Sequence, residues 1–180
     1  LHKEYRRQRQ MCIRDRSAAL LNSVGIGLTN VIFTYVGISL IDKLGRRSLM
    51  YIGSIGYIVS LTLISLSFIL EWGGVVLPIF LFLFIASHAI GQGAIIWVYI
   101  SEIFPNHIRS YGQSFGISTH WILAAIIPSL IPFLFGSIGP GIVFGFFAFM
   151  MVLQLMFTHF IMPETKGVSL EDLSKKLIRN

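Results

Sequence analysis

The sequence predicts an all-α, polytopic membrane protein with five transmembrane helices. Two observations carry this. Of 180 residues, 54% are hydrophobic and 12% charged, with a mean hydropathy of +0.76. A soluble domain carries about 25% charged residues. The apolar residues also come in five long runs, at about 18–41, 48–70, 76–101, 110–135 and 140–162, and no charged residue interrupts any of them. About 20 helical residues cross a ~30 Å hydrocarbon layer, in which only helices and closed barrels satisfy their own backbone groups.

Residues 1–16, LHKEYRRQRQMCIRDR, are of another kind. Six basic side chains (Lys3, Arg6, Arg7, Arg9, Arg14, Arg16) against two acidic ones (Glu4, Asp15) give this segment most of the formal net charge of +6. It has no apolar signal-peptide core and is expected to be disordered or foreign to the natural protein. The rest of the chain is close to neutral, so its basicity is no sign of a nucleic-acid partner. Cys12 is the one cysteine, which excludes an internal disulfide or a cysteine-built metal site.

The first run carries Gly25, Gly27 and Asn30 and ends in DKLGRR, Asp42 to Arg47. The second ends in Glu71, Trp72, Gly73 and Gly74. The third contains GQGAIIW, with Gly93 and Trp97 one helical turn apart on one face, and leaves the apolar layer through SEIFPNHIR, with Glu102 and Arg109. The fourth carries His120, Trp121, Pro128 and Pro132 and ends in the uncharged GSIGP. The fifth ends in PETKG, with Glu164. Gly112 and Gly116, like Gly141 and Gly145, have the small-xxx-small spacing of close helix contacts. Lys and Arg of the connections fall on one side, which the positive-inside rule makes cytoplasmic. The basic segment 1–16 then lies on the wrong side, and with an odd number of spans this points to a chain without its true beginning. From Gly167 a short cytoplasmic helix is expected, capped by Ser169 and Asp172, with Leu170, Leu173 and Leu177 on one stripe.

Depth follows from 1.5 Å of rise per helical residue, counted from the charged ends. Asn30 then lies roughly 18 Å deep, Gly93 roughly 13 Å, and His120 and Trp121 roughly 16–18 Å. The midplane of the apolar layer is near 15 Å. Three runs thus bring polar, aromatic or backbone-exposing groups to one level, where polar groups need partners or water. Each alone is most often a contact between helices; together they favour a polar ligand site. The charge-free interior argues against an ion or a strongly ionic ligand bound by this part of the chain. A neutral ligand rich in hydroxyls suits Asn and His as hydrogen-bonding groups and indole faces as covers for its C–H surfaces. Gln154 reads as structural, and His88 is ambiguous.

DKLGRR, GQGAIIW with SEIFPNHIR, and PETKG, in this order and spacing, resemble the sugar porters of the major facilitator superfamily, and the bacterial members in particular. The resemblance covers about residues 18–180 and implies helices 8 to 12 of a twelve-helix fold. It implies a neutral monosaccharide carried by alternating access, with a coupling proton in some members. It makes Asn30, Gly93, Trp97, His120 and Trp121 the sugar-binding residues. Asp42, Arg46, Arg47, Glu102, Arg109 and Glu164 become a cytoplasmic charge network that latches the outward-facing state. His120 stands where the family usually has Gln or Asn, and Gln92 and Ile96 replace common prolines. The implied partners are the sugar, the lipid bilayer of the cell (inner) membrane and the N-terminal half of the same transporter. No cofactor, metal or nucleic acid is implied. The expected units are residues 1–16, the helix bundle 17–163 and a cytoplasmic tail 164–180. Two alternatives stand beside this reading. One is a non-transporting sugar sensor of the same fold. The other is a membrane-embedded metalloenzyme using His88, His107 and His120, which lacks an HExxH motif or an acidic cluster.

Overall fold

Among the described residues six helices follow one another along the chain: α1 (His2–Leu44), α2 (Arg46–Ile69), α3 (Val76–Ile90), α4 (Gln92–Ile103), α5 (Arg109–Ile138) and α6 (Pro140–Phe160). The computed structural model describes residues 2–72 and 76–167, with side chains from Leu20 onward. Within these, five stretches are long and apolar enough to cross a membrane: Leu20–Leu44, Arg46–Ile69, Val76–Ile103, Arg109–Ile138 and Pro140–Phe160. The third is α3 and α4 end to end. The backbone of residues 2–16 is helical and continuous with the first span. The short helix expected around Ser169 and Asp172 lies outside the described residues.

Breaks between helices fall at glycines for local reasons. Gly45 separates α1 from α2 with φ +90°, a conformation that side chains disfavour, and a Cβ there would stand 2.6 Å from Glu164 Oε2. Gly139, at φ +84°, turns α5 into α6, and Pro140 then starts the new helix at the position where a missing N–H costs nothing. Sequence reading takes residues 76–101 as one helix; the structure breaks it at Gly91. The physical reason is a close crossing. A Cβ on Gly91 would stand 2.6 Å from the Cα of Gly53, and one on Gly53 would stand 2.8 Å from the Cα of Gly91. Beside this contact the Gln92 amide donates to Ser54 Oγ at 3.2 Å.

α2 is the centre of the bundle and packs against α6, α3, α4 and α1. Its buried face alternates small residues (Gly53, Ser54, Ser60, Ser65) with Leu49, Tyr57, Leu61 and Ile64. Small residues let helix backbones approach where lipid supplies no hydrophobic drive. The serine hydroxyls are satisfied locally or across helices: Ser60 Oγ donates to the Gly56 carbonyl at 2.8 Å and Ser65 Oγ to the Gly141 carbonyl at 2.6 Å. Gly112 faces the Phe104 ring, Gly116 faces Ile100, and Gly141 and Gly145 face Ile69 and Ser65, so both spaced glycine pairs receive neighbouring side chains. By contrast, among the described residues α5 buries none of its own and touches only the helices α4 and α6.

The crossing generates a test. Adding a methyl group at Gly91 forces two backbones apart, at about 1–3 kcal/mol for overpacking. Gly27 has nothing within 4 Å of its Cβ position. In detergent, Gly91→Ala should lower the melting temperature of the purified chain by several degrees while Gly27→Ala leaves it unchanged or slightly higher. Equal melting temperatures would show that the contact does not hold the bundle.

Candidate functional site

The structure gathers Trp97, His120 and Trp121 into one aromatic cluster. The Trp97 and His120 rings lie 5.0 Å apart at 77°, and those of His120 and Trp121 lie 5.5 Å apart at 81°. Edge-to-face geometry of this kind is what the charge distribution of aromatic rings favours. α4 and α5 place it: Trp97 lies one turn after Gly93 on α4, while His120 and Trp121 are adjacent on α5. All three side chains remain exposed, Trp97 at 38% and Trp121 at 62%. The His120 ring nitrogens have no hydrogen-bond partner among the described residues. The cluster therefore offers two indole surfaces and an imidazole with free donor and acceptor capacity, a chemistry suited to a ligand with both C–H faces and hydroxyls.

Gly93 is brought close to this cluster by sequence, but the space over it is filled from within. A Cβ on Gly93 would stand 3.0 Å from Nε2 of His88. His88 in turn hydrogen-bonds through Nδ1 to the Tyr57 hydroxyl. The Tyr57–His88 pair was not legible beforehand, because the two residues are 31 positions apart and nothing in either run marks them as partners.

Asn30 is not joined to the cluster. α1 and α5 are not neighbours, and Asn30 is exposed, accepting a hydrogen bond from Thr34 Oγ1 at 3.4 Å. Gly25 of α1 faces Phe82, and Gly37 faces the Ala89 and Ile90 carbonyls, so the contact register brackets Asn30 between these levels. Asn30 thus lies farther from the charged end than Gly93 by roughly two helical turns. Straight-helix depth counting puts the two at nearly one level; the structure staggers α1 against α3 and α4.

Charged residues form a second assembly at one end of the bundle. Arg46 grips Glu102 with two contacts, Nη2 to Oε1 at 2.8 Å and Nε to Oε2 at 3.1 Å, and reaches Asp42 Oδ1 with Nη1 at 3.0 Å. The Arg46 and Glu102 side chains are 12% and 22% exposed, so the pair is shielded, whereas Asp42 is in the open. Glu164 sits across the start of α2: Oε1 accepts from the Arg46 amide and Oε2 from the Arg47 amide, each at 3.0 Å. A carboxylate at a helix N-terminus satisfies amides that have no partner in the helix and opposes the helix dipole. Thr165 Oγ1 donates to Glu102 Oε2 at 2.6 Å, joining the two carboxylates into one network. Arg47 turns to carbonyls at the end of α6, those of Thr158 and His159. Arg109 donates from Nε to the Phe104 carbonyl at 3.4 Å, and its buried Nη2 has no partner among the described residues. Among the described residues no three His, Cys, Asp or Glu side chains gather to hold a metal.

The chain as a whole is similar to known proteins. The family described as "Sugar (and other) transporter" matches residues 11–177. The arabinose-proton symporter of Bacillus subtilis is 36% identical over 167 residues, covering 91% of this chain and 36% of that protein. The D-xylose transporter of Levilactobacillus brevis is 32% identical, covering 89% of this chain and 36% of that protein. The inward-open structure of the xylose transporter XylE from E. coli superposes with a TM-score of 0.81 at 28% identity, covering 89% of this chain and 36% of that one. Another structure of XylE, described as a major facilitator superfamily proton:xylose symporter, also superposes with a TM-score of 0.81. The chain spans about a third of the length of these relatives.

The α2 cap yields a prediction that needs no ligand. Glu164→Ala leaves the Arg46 and Arg47 amides without their acceptor and should destabilise the bundle by about 0.5–2 kcal/mol, the usual range for a lost helix cap. Glu164→Gln retains one acceptor oxygen and should lose less. Thermal unfolding in detergent, ranked wild type, Gln, Ala, checks this; an Ala variant as stable as wild type would contradict the cap.

Proposed function

The chain belongs to the sugar (and other) transporter family, and from that membership we propose that it forms helices 8 to 12 of a twelve-helix carrier that moves a neutral monosaccharide by alternating access. It is a multi-pass membrane protein of the major facilitator fold, with five membrane-length spans. The observation that carries the functional reading is the exposed Trp97–His120–Trp121 cluster on α4 and α5, beside Gly93. No charged residue lies in the interior of any span, which suits a neutral cargo. Asn30 completes the site from α1, across a ligand rather than by direct contact. In major facilitator carriers the site lies between two halves that rock about it, so the N-terminal half is the required partner. A coupling proton accords with the symporters among the relatives. The charged end of the bundle, with the 42–47 and 102–109 connections and the C-terminus, faces the cytoplasm by the positive-inside rule, and the membrane is the cell (inner) membrane.

The charge network then works as a latch at the cytoplasmic face. Arg46 and Glu102 hold α2 to α4, and Arg109, whose buried Nη2 has no partner among the described residues, is the donor for a group on the other half. A shielded, two-point Arg–carboxylate contact contributes more than an exposed pair, which contributes only about 0–1 kcal/mol.

Two experiments test this. Counterflow of labelled sugar in vesicles holding the complete carrier should succeed and should fail with the present chain alone; sugar binding without counterflow would make the protein a sensor. Asn30→Ala and His120→Ala should each weaken sugar affinity by about five- to a hundred-fold, the effect of about 1–3 kcal/mol for an unmade hydrogen bond. Affinities within a factor of two of wild type, at normal expression, would remove these residues from the site. For the latch, Glu102→Gln should leave insertion intact and shift cysteine accessibility from the outer toward the cytoplasmic side. Unchanged labelling from both sides would reduce these charges to markers of topology.

A further inference from the structure

Arg46 and Arg47 are neighbours in sequence and part company in the fold. Arg46 turns to Asp42 and to Glu102 of α4. Arg47 turns instead to the end of α6, where its Nε and Nη2 donate to the Thr158 and His159 carbonyls. Carbonyls at a helix C-terminus carry partial negative charge, so a guanidinium suits them. They do not neutralise it. Arg47 joins no ion pair among the described residues. Its Nη1 has no acceptor among them and is not buried. Glu164, whose carboxylate reaches the Arg47 backbone amide, is occupied by the amides of Arg46, Arg47, Thr165 and Lys166.

Two further groups stand beside this guanidinium. Tyr51 lies one turn further along α2, about 6 Å from the level of Arg47. The Arg47 Cζ is 5.9 Å from the centre of its ring, within cation–π range. The Tyr51 hydroxyl meets Nδ1 of His159 at 2.8 Å, and the imidazole lies edge-on to Phe160 with ring centres 4.7 Å apart. This contact leaves a donor over whichever way it runs. If the phenol donates to Nδ1, the imidazole N–H is at Nε2; if Nδ1 donates, the phenol O–H is unused. His159 is exposed and Tyr51 half-buried. Deeper in the layer both helices present apolar side chains outward, Ile52, Ile55 and Val59 on α2 and Val152 and Met156 on α6. Cationic and donor groups thus sit at the rim, with a lipid-compatible surface running away from them.

We propose that Arg47, Tyr51 and His159 form a headgroup site for an anionic phospholipid where α2 and α6 meet at the charged rim. The phosphate meets Arg47 Nη1 and the donor left over by the Tyr51–His159 pair, and the acyl chains lie along the apolar side chains of α2 and α6. Charge complementarity selects the lipid class. The guanidinium keeps its full charge, which favours a headgroup of net negative charge. A zwitterionic headgroup brings an ammonium as well, and Arg47 has no carboxylate beside it among the described residues to receive one. The site stands on α2 and α6, whereas the aromatic cluster stands on α4 and α5. It requires that the chain span a membrane and is independent of which cargo the carrier moves.

The test titrates the complete carrier, purified in a neutral detergent, with phosphatidylglycerol and in parallel with phosphatidylcholine of the same chains, and counts retained lipid by native mass spectrometry. Wild type should retain one phosphatidylglycerol at a several-fold lower concentration than phosphatidylcholine. The double variant Tyr51→Phe, His159→Leu should weaken phosphatidylglycerol by about ten-fold, the effect of one lost hydrogen bond to a charged group, and leave phosphatidylcholine as it was. His159→Glu sets an anion against the phosphate and should abolish the preference. It also keeps the proposal testable should the double variant fail to fold. Lys43→Gln removes an exposed cation at the same end but outside the cluster, and should change little. Wild-type affinity in the double variant, or a retained preference in His159→Glu, overturns the proposal. So does an equal loss in Lys43→Gln, which would make the attraction a general property of a basic rim. Displacement of phosphatidylglycerol by inorganic phosphate alone would make this a site for a free anion and overturn the lipid assignment.

Discussion

The structure depends on how its carboxylates are used at the charged end. Glu164 lies across the first amides of α2, and Glu102 receives the fork of Arg46 and the hydroxyl of Thr165. Through these contacts the ends of α1, α2 and α4 and the segment after α6 meet in one place. Gly45 makes the junction: its positive φ turns the chain between α1 and α2, and its missing side chain leaves room for the Glu164 carboxylate. Helices in lipid gain nothing from hydrophobic attraction to one another. Their alignment therefore has to come from polar knots like this one at the ends and from close glycine and serine contacts within the layer. Both are concentrated on α2, which is why α2 is the buried helix and the others surround it.

What that alignment leaves over is the functional surface. α5 buries no side chain in this bundle, yet it carries His120 and Trp121 against Trp97 of α4. An apolar helix with no fully buried residue and only α4 and α6 against it among the described residues leaves much of its surface open. In the proposed carrier this face closes on the N-terminal half around the sugar. The stagger of Asn30 against Gly93 means that a ligand touching both lies along the bundle rather than across it.

Much of this was legible in the residues. Long uncharged runs fixed the number and placing of the spans, because lipid demands them, and the DKLGRR, SEIFPNHIR and PETKG connections pointed to the charged end. Depth counting put Gly93, His120 and Trp121 near one level, and spacing put Trp97 one turn from Gly93. The break at Gly91 was not legible: a helical run with an internal glycine looks continuous until the opposing Gly53 is known. Nor was the stagger of α1, since depth counted from one charged end assumes parallel helices. The Tyr57–His88 pair escaped notice for a related reason. Buried hydrogen bonds between distant positions have no local signature, and His88 by itself is as consistent with a satisfied core histidine as with a functional one.

The central claim is that the cluster at Trp97 lies against bound sugar, and tryptophan fluorescence reports on it directly. Titrating a neutral pentose into the complete carrier in vesicles should change the emission saturably, and the change should be clearly smaller in Trp97→Phe, where Trp121 alone of the cluster still reports, while that variant remains folded. A saturable change of the same size in Trp97→Phe, or binding with no change in the wild type, would contradict the account.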